Sequence, residues 1–218
     1  DCSSERLAKV REEQQAKGVP PMYDKHCRDR NLTEEEGVVV RMKVPEGGET
    51  KFVDSVRGEI VVENKTIDDQ VLMKSDGFPT YHMAVVVDDN LMGITDVIRG
   101  DEWLISTPKH VLLYEALGWE KPTFTHLPLI LAQDKSKLSK RHGTVSLDKF
   151  KQEGYLPEAM VNFVSLLGWH PKGDEEVMDI QEIIKQFDLA DVQKSPAVFD
   201  REKLDWLNGQ YIRNIGLG

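Results

Sequence analysis

The stretch "GITDVIRGDEWLISTPKHVLLYEALGWEKPTFTHLPLILA", residues 93–132, contains the pattern that decides the fold. The segment "GITDVIRG" predicts a short buried strand that ends at Arg99. The segment "TPKHVLLYEALGW" predicts a helix that has Pro108 in its first turn and stops at Gly118. The segment "FTHLPLILA" predicts a further strand. A strand, a helix and a strand in this order indicate a parallel α/β sheet, whose ligands lie at the carboxyl ends of the strands.

The residues before this stretch predict a helix followed by a small β-rich module. Ser3 or Ser4 is the expected cap of a helix that ends at Gly18. The β-branched runs "GVVVRMKV" and "GEIVVEN" predict strands, with the turn "PEGGET" after the first run. The next segment, "YHMAVVVDDNLMG", is largely apolar, and its periodicity does not choose between a strand and a helix.

The residues from Val145 onward have the spacing of amphipathic helices in four segments. These segments begin near Ser, Pro or Asp, and several of them end at Gly. They are "SLDKFKQEG", "LPEAMVNFVSLLGW", "DIQEIIKQFD" and "DREKLDWLNGQYIR". The pattern predicts a small helical domain.

The composition is that of a globular protein with an acidic balance. The chain has 218 residues and a formal net charge of −10, a length that suits one large domain or two small ones. The acidity argues against a protein that coats nucleic acid, but local basic patches remain compatible with it because surface charges are screened within about 10 Å. No apolar run reaches the roughly twenty residues of a membrane span, and no secretory signal is recognisable. Because the only cysteines are Cys2 and Cys27, which do not make a disulfide framework, we expect a reducing, cytoplasmic setting. The lack of a spanning run argues against a membrane partner. We also expect a monomer.

The loop "DKSKLSKRHG", residues 134–143, concentrates positive charge in this acidic chain. Lysine ammonium groups meet phosphate oxygens and stabilise the negative charge that develops on a departing phosphate. A lysine-rich loop after a predicted strand therefore indicates an anion clamp. The alternative is a solvated surface loop, which composition alone favours.

The string "KLSKR", from Lys137 to Arg141, resembles the KMSKS signature of the class I aminoacyl-tRNA synthetases. The continuation "HGTVSLDKFKQEGYLPEAMVNFVSLLGW" is similar to the glutamyl-tRNA synthetase branch of that class. So are "DGFPTYHMAVVVDDNLMGITDVIRGDEWLISTPKHVLLYEALGW" and "FDREKLDWLNGQYIR". Together with "REEQQAKG" and "YDKHCR" near the start, these stretches extend the resemblance over nearly the whole chain.

The resemblance implies an α/β fold: the second half of a Rossmann-type nucleotide-binding domain, with an α+β insertion before it and a small helical domain after it. It divides the chain into a connective insertion that binds the tRNA acceptor end (1–74), the Rossmann half with the KMSKS-type loop (75–144) and a helical domain that contacts the tRNA stem (145–218). The sequence contains no HIGH-type signature, the other hallmark of the class, and no helical anticodon-binding domain. We therefore expect an internal fragment of a longer protein, incomplete for catalysis.

The activity that the resemblance implies is that of a glutamyl-tRNA synthetase, an aminoacyl-tRNA ligase. L-glutamate attacks the α-phosphate of ATP, which enters with Mg²⁺, and the glutamyl-adenylate passes its glutamyl group to the 3′ end of tRNA(Glu). The substrate carboxylate is itself the nucleophile, so catalysis consists of positioning and charge stabilisation. Two alternatives are the shorter relative that glutamylates a modified tRNA base and a non-catalytic tRNA-binding fragment.

The expected ATP-side residues follow from the match to the KMSKS motif. Lys140 is the motif lysine that contacts the phosphates, and Lys137 is the second expected catalytic residue. The other ATP-binding residues implied by position are Glu102, Ile130, Leu138, Ser139 and Arg141. Glu102 is expected to accept a hydrogen bond from a ribose hydroxyl, and Ile130 to use its backbone toward adenine.

Arg99 is the expected partner of the substrate's side-chain carboxylate, because a guanidinium stays ionised and matches a carboxylate with two hydrogen bonds. The resemblance adds three further residues to the glutamate pocket: Tyr81, Val85 and Trp103. Val85 offers packing only, and the alternative for the two aromatic residues is a place in the core. The alternative for Arg99 is a structural salt bridge to a neighbouring carboxylate, namely Asp96, Asp101 or Glu102.

Some members of the family that this chain resembles hold zinc in the insertion with Cys-x-Cys and, about two dozen residues later, Cys-x-His. Cys2 and Cys27 fit two of these four positions, but Asp29 occupies the histidine position. Two cysteines do not complete a tetrahedral structural site. We therefore expect no zinc in this chain, and name Cys2 and Cys27 as its only metal candidates.

Overall fold

The computed structural model describes residues 2–30, 37–139, 141, 146–173 and 175–215. Contacts divide the chain into two compact units. The first comprises Asp1–Val53, Glu59–Asp96 and Ile105–Thr123, and the second comprises Asp54–Gly58, Val97–Leu104 and Phe124–Gly218. The domain boundaries expected after residues 74 and 144 stay predictions, because a compact unit defined by contacts is not a functional domain.

The first unit opens with the predicted helix, α1 (Ser4–Ala16). Ser3 is its N-cap, and the Ser3 hydroxyl accepts a hydrogen bond from the Arg6 N–H at 3.2 Å. No residue of α1 is buried, so burial of an apolar face does not hold the helix in place. Instead, the side-chain amide of Gln14 bonds both the N–H and the carbonyl of Met22, each at 3.0 Å.

Between residues 37 and 74, which the structure describes throughout, the β-rich module contains four strands: β1 (Val40–Arg41), β2 (Glu49–Asp54), β3 (Gly58–Glu63) and β4 (Val71–Met73). Strands β1 and β4 pair antiparallel, and β3 lies next to β2. In β2 the buried and exposed residues alternate, so that Thr50, Phe52 and Asp54 point inward. The run "GVVVRMKV" forms a shorter strand than expected, because only Val40 and Arg41 are paired.

The segment whose periodicity was ambiguous is a helix. This helix, α2 (Tyr81–Leu91), packs against α3 (Thr107–Leu117), the helix predicted from "TPKHVLLYEALGW". Gly118 has a φ of 69° and ends α3 in the left-handed conformation that other residues avoid. Between the two helices, His82 Nδ1 and His110 Nε2 lie 2.9 Å apart.

The second unit contains the strand ends that carry the candidate site. Asp54, the last residue of β2, pairs in parallel with Phe124 of β6 (Thr123–Leu127), and β6 neighbours β5 (Asp96–Gly100). The strand predicted at "GITDVIRG" is therefore present. The expectation that it is buried is wrong, because none of its residues is buried and Ile98 is 54% exposed.

The segment "FTHLPLILA" forms two strands instead of the predicted one. Pro128 lacks the N–H that a strand ladder needs, and it separates β6 from β7 (Ile130–Leu131). Strand β7 pairs in parallel with β8 (Ala197–Val198). The chain therefore changes sheets directly before the lysine loop.

The helical part of the second unit follows the prediction, with α4 (Leu147–Gln152), α5 (Pro157–Leu166), α6 (Ile180–Gln186) and α7 (Arg201–Asn214). Among the described residues of this part, eight buried apolar side chains form the core: Phe150, Phe163, Leu166, Trp169, Met178, Ile183, Leu204 and Leu207. None of the helices in the described ranges combines the length and the apolar character that crossing a membrane demands.

Leu204→Ala is expected to lower the free energy of unfolding by about 2–5 kcal/mol, because the fully buried side chain would leave a cavity in this core. The matched control is Leu147→Ala in α4, where Leu147 is 75% exposed and the expected change is within about 0.5 kcal/mol. Urea unfolding followed by circular dichroism measures both variants. Equal losses in the two variants would contradict the assignment of the core.

Candidate functional site

Three polar side chains from three strands form a hydrogen-bonded chain in the second unit. Asp54 Oδ2 at the end of β2 lies 2.6 Å from His126 Nδ1 in β6. Arg99 in β5 donates from Nε to His126 Nε2 at 3.1 Å. The side chains of Asp54 and His126 have no solvent exposure, whereas Arg99 is half-buried. The hydrogen-bonded chain therefore runs from the interior to a partly accessible guanidinium.

The turn after β2 holds the Asp54 carboxylate from its other side. Asp54 Oδ1 accepts hydrogen bonds from the N–H groups of Val56 and Arg57 at 3.0 and 2.8 Å. Bonds from a side chain to the backbone two or three residues later are the reason that Asp is favoured in turns. Both oxygens of the carboxylate are thus occupied, and its own turn fixes its position.

The two buried groups titrate away from their ordinary ranges. Burial by itself raises the pKa of Asp54, but hydrogen bonds from His126 and from the backbone of Arg57 outweigh it, so that the net pKa is lowered. Burial is the main cause that lowers the pKa of His126; Arg99 lowers it further, while Asp54 and Asp101 oppose the shift. An ionised Asp54 therefore lies beside a neutral His126 near pH 7.

Two further ion pairs lie in the same unit. Arg57 Nε and Asp101 Oδ1 are 3.0 Å apart and form an ion pair whose N–H is not aligned as a hydrogen bond. Glu102 forms an ion pair with Lys137 of the lysine loop. Two of the carboxylates considered as structural partners of Arg99 therefore have another cation beside them.

Two predicted site residues, Glu102 and Trp103, follow shortly after β5. Trp103 contacts Arg99, and Glu102 contacts Lys137. Arg99 Cζ lies 5.9 Å from the centre of the Trp103 ring, within the range of a cation–π contact. The hydrogen bond from Lys137 lowers the pKa of the Glu102 carboxyl. A Cβ atom at Gly100 would lie 2.2 Å from Glu102 Oε2, so the carboxylate occupies the space that only glycine leaves open.

The lysine loop starts as a tight hairpin. Leu131 and Lys137 form an antiparallel bridge, and the Leu138 N–H donates to the carbonyl of Ile130 at 2.9 Å. At the tip of the hairpin, Lys135 adopts a φ of 64°. The hairpin keeps the first half of the loop close to β7 and exposes its lysine side chains.

The predicted ATP-side residues are partly in contact with one another. Lys137 lies against Glu102, and Ile130 and Leu138 are joined through their backbones. Two others, Ser139 and Arg141, continue the loop. Lys140, the expected phosphate lysine, lies outside the described residues. The ATP-binding roles stay predictions.

The residues predicted for the glutamate pocket belong to both units. Arg99 and Trp103 lie in the second unit, whereas Tyr81 and Val85 lie in the first, near the start of α2. Tyr81 is 51% exposed, so the alternative that it is a core aromatic is wrong, and Val85 is half-buried. The glutamate-binding roles of all four stay predictions.

Cys2 and Cys27 meet in the first unit. Their Sγ atoms lie 3.0 Å apart as free thiols, and the Tyr23 hydroxyl lies 3.2 Å from Cys2 Sγ. The hydrogen bond with Cys2 lowers the pKa of the Cys27 thiol. Within the described part of the chain, no group of three or more His, Cys, Asp or Glu side chains has a geometry that holds a metal ion. The expectation about zinc stays a prediction.

Sequence reasoning missed Asp54 and His126, the two residues behind Arg99. A signal for Asp54 was present, because it continues the inward positions of Thr50 and Phe52, where a carboxylate is rare. His126 offered no such signal, because the middle of β6 is buried on both faces and shows no alternation.

Comparison with known proteins identifies the family. The family described as "tRNA synthetases class I (E and Q), catalytic domain" matches residues 1–206. The chain belongs to this family. The resemblance of the chain to the class I aminoacyl-tRNA synthetases, stated above from "KLSKR" and its flanking stretches, is thereby confirmed.

The chain is similar to several proteins named glutamate–tRNA ligase. One from Dehalococcoides mccartyi is 55% identical over 98% of this chain and 44% of its own length. One from Clostridioides difficile is 53% identical over 98% of this chain and 45% of its own length. The chain thus spans less than half the length of these curated relatives.

A solved structure supports the same family. The crystal structure of a glutamate tRNA ligase from Elizabethkingia meningosepticum, in complex with its amino acid, matches with a TM-score of 0.86 and 41% identity. The match covers 98% of this chain and 49% of that one. The expectation of an α/β fold of the class I synthetase type is confirmed.

Gly100→Ala is expected to push the Glu102 carboxylate away from Lys137, because the new Cβ would overlap Glu102 Oε2. The lowered pKa of the Glu102 carboxyl should then rise toward its ordinary value, with stability changed by less than about 1 kcal/mol. Carbon-13 NMR titration of the carboxyl groups measures the shift. Gly47→Ala is the control, since a Cβ there meets nothing within 4 Å. The same Glu102 titration in both variants would contradict the contact.

Proposed function

We propose that this chain is part of the catalytic domain of a glutamyl-tRNA synthetase, which joins glutamate to tRNA. The observation that carries the proposal is its 55% identity, over 98% of the chain, to a protein named glutamate–tRNA ligase. The geometry of the second unit supports it, since the guanidinium of Arg99 is held by His126 and a lysine-rich hairpin follows β7.

The proposed reaction has two group-transfer steps. In the first, an oxygen of the glutamate α-carboxylate attacks the α-phosphorus of ATP, the bond to the β-phosphate breaks and pyrophosphate departs. In the second, the terminal ribose hydroxyl at the 3′ end of tRNA(Glu) attacks the acyl carbon, and AMP departs. ATP enters as its Mg²⁺ complex, with the metal on the phosphate oxygens. Neither step needs a protein nucleophile, so the residues act by orienting groups and stabilising charge.

Lys140 and Lys137 are the proposed catalytic residues. An ammonium group beside the phosphates stabilises the negative charge that accumulates on the departing pyrophosphate. Glu102, which contacts Lys137, is proposed to accept from a ribose hydroxyl with its second oxygen. The remaining proposed ATP contacts are Ile130, Leu138, Ser139 and Arg141. The carbonyl of Ile130 already accepts from Leu138, but a carbonyl has a second lone pair.

Arg99 is the proposed reader of the glutamate side chain. Its guanidinium matches the substrate carboxylate with two hydrogen bonds, and Trp103 offers a flat wall beside it. Tyr81 and Val85 are the other proposed contacts. Glutamine has nearly the same shape but no charge, so binding it would leave the Arg99 charge unpaired in a desolvated pocket.

The proposed partners are tRNA(Glu), ATP and L-glutamate, and the proposed setting is a monomer in the cytoplasm. The insertion, residues 1–74, is proposed to bind the tRNA acceptor end, and the helical region, residues 145–218, to contact the tRNA stem. The apolar core that α4 to α7 share supports the proposed contact with the tRNA stem. It gives this region a defined surface, and double-stranded RNA is recognised mainly through its shape and its charged phosphate backbone.

Lys140→Ala in the complete gene product is expected to slow ATP–pyrophosphate exchange in the presence of tRNA by about 10²–10³-fold, because charge on the departing pyrophosphate loses its partner. The KM for glutamate should change little. The control is Lys135→Ala, in the same hairpin but outside the "KLSKR" string. Equal losses in exchange rate and in glutamate binding would count against a phosphate role.

Arg99→Ala is expected to raise the KM for glutamate by about 30-fold or more, because truncating one partner of a desolvated charge pair costs about 2–5 kcal/mol. The KM for ATP should stay near that of the unaltered protein. Arg99→Lys keeps the charge but cannot form two parallel hydrogen bonds with a carboxylate, so its glutamate KM should lie between the values of the unaltered protein and of Arg99→Ala. An unchanged glutamate KM in Arg99→Ala would rule out this assignment.

A further inference from the structure

We infer that Asp54 and His126 are positioning residues for substrate recognition: they hold the Arg99 guanidinium in one orientation, and glutamate binding requires a neutral His126. This inference deepens the proposed function and rests on its assignment of Arg99 to the glutamate side chain. In this scheme neither Asp54 nor His126 touches the substrate, and both act through Arg99.

The hydrogen-bond pattern leaves one protonation state for His126. The Arg99 guanidinium is always protonated, so its Nε–H donates and His126 Nε2 must accept at 3.1 Å. The ring proton therefore lies on Nδ1, where it is donated to Asp54 Oδ2 at 2.6 Å. A doubly protonated imidazole would turn an N–H toward the Nε–H of Arg99 and break the contact.

The contact with His126 fixes the plane in which Arg99 presents its guanidinium. Since Nε is engaged by His126, a carboxylate has to be met through the terminal nitrogens on the far edge of the group. A two-pronged contact depends on the orientation of that plane, and a side chain already held in place loses less freedom on binding. The ring of Trp103, whose centre lies 5.9 Å from Cζ, adds a cation–π contact to the same guanidinium.

A purely structural role does not account for this pair. Burying a carboxylate and an imidazole costs desolvation free energy, and apolar residues of similar volume commonly serve a core as well or better. The surroundings nevertheless satisfy the Asp54 carboxylate completely, with His126 on one oxygen and two backbone N–H groups on the other. A fully hydrogen-bonded buried pair of this kind is expected behind a functional side chain whose orientation matters, and here that side chain is Arg99.

The inference makes glutamate recognition sensitive to acid. Among the described residues, the charged groups that act on the imidazole include Asp54 from β2, Arg99 from β5 and Asp101 from the 3-10 helix Asp101–Ser106. Burial holds the pKa of His126 below its ordinary value of about 6.5. As the pH falls through that lowered pKa, His126 gains a proton, repels Arg99, and kcat/KM for glutamate falls.

The same shift has a consequence for stability, with the same sign. The unfolded chain takes up the His126 proton near pH 6.5, whereas the folded protein takes it up only at lower pH. The contribution of His126 to stability is therefore present above pH 6.5 and is lost as the pH falls toward the folded pKa.

The test compares two neutral amides at His126 in the complete gene product. His126→Gln reaches as far as the imidazole Nε2 and keeps an acceptor for Arg99, whereas His126→Asn keeps a donor for Asp54 but ends short of Arg99. His126→Asn should raise the glutamate KM about ten- to a hundredfold, the loss of a hydrogen bond to a charged group, with kcat and the KM for ATP nearly unchanged. His126→Gln should keep a glutamate KM close to normal and lose the fall in kcat/KM at low pH that His126 causes.

The control is Thr125→Val on the same strand. Thr125 is as buried as His126, and among the described residues its hydroxyl has no hydrogen-bond partner. This substitution should leave the glutamate KM and its pH dependence unchanged. Equal glutamate KM values for His126→Asn and Thr125→Val would overturn the inference.

The outcomes separate this inference from the proposed function. If Arg99→Ala leaves the glutamate KM unchanged, the assignment of Arg99 fails. If Arg99→Ala raises the KM but His126→Asn does not, only the positioning role fails. Long-range ¹H–¹⁵N NMR of the imidazole in the unaltered protein tests the inference without any substitution. A proton on Nδ1 and none on Nε2 at pH 7 is expected, and a proton on Nε2 would overturn it.

Discussion

The hydrogen bond between the Asp54 carboxylate and the His126 imidazole, 2.6 Å long and without solvent exposure, is the constraint on which the candidate site depends. It joins the end of β2 to β6, and Arg99 of β5 donates to the same ring. Two other strands therefore contact the guanidinium of Arg99, directly through His126 and indirectly through Asp54. A buried polar group of this kind is tolerated only when each of its polar atoms has a partner, and the turn after β2 completes that set.

The charges on the accessible side of the site are held less firmly. Lys137 and Glu102 form an ion pair in which both side chains are substantially exposed, and pairs of this kind contribute little to stability. Such a pair exchanges partners at low cost, which suits the phosphate and ribose contacts proposed for these two residues. Gly100 leaves the space in which the Glu102 carboxylate lies. The second unit thus combines a rigid buried anchor behind Arg99 with an adaptable ion pair beside the lysine hairpin.

Local signals predicted most of the helices, because N-caps, helix-ending residues and the spacing of apolar residues can all be recognised in a short stretch of sequence. The serine cap before α1, the glycine after α3 and the four amphipathic segments after residue 145 all correspond to observed features. The strands were harder to predict. Pro128 divides one predicted strand between two sheets, and Ile98 is exposed although its run is apolar. Burial of a strand depends on which elements cover it, and the strand itself does not contain that information.

By itself the sequence determined the family and named Arg99 and the "KLSKR" string, because long stretches matched in order identify relatives without coordinates. Only the tertiary structure decided what lies behind Arg99. His126 is separated from Arg99 by 27 residues and from Asp54 by 72, and hydrogen bonds between neighbouring strands leave no periodic trace along a chain. A side chain's partners follow from which strand ends are brought together, and that pairing exists only once the sheet has formed.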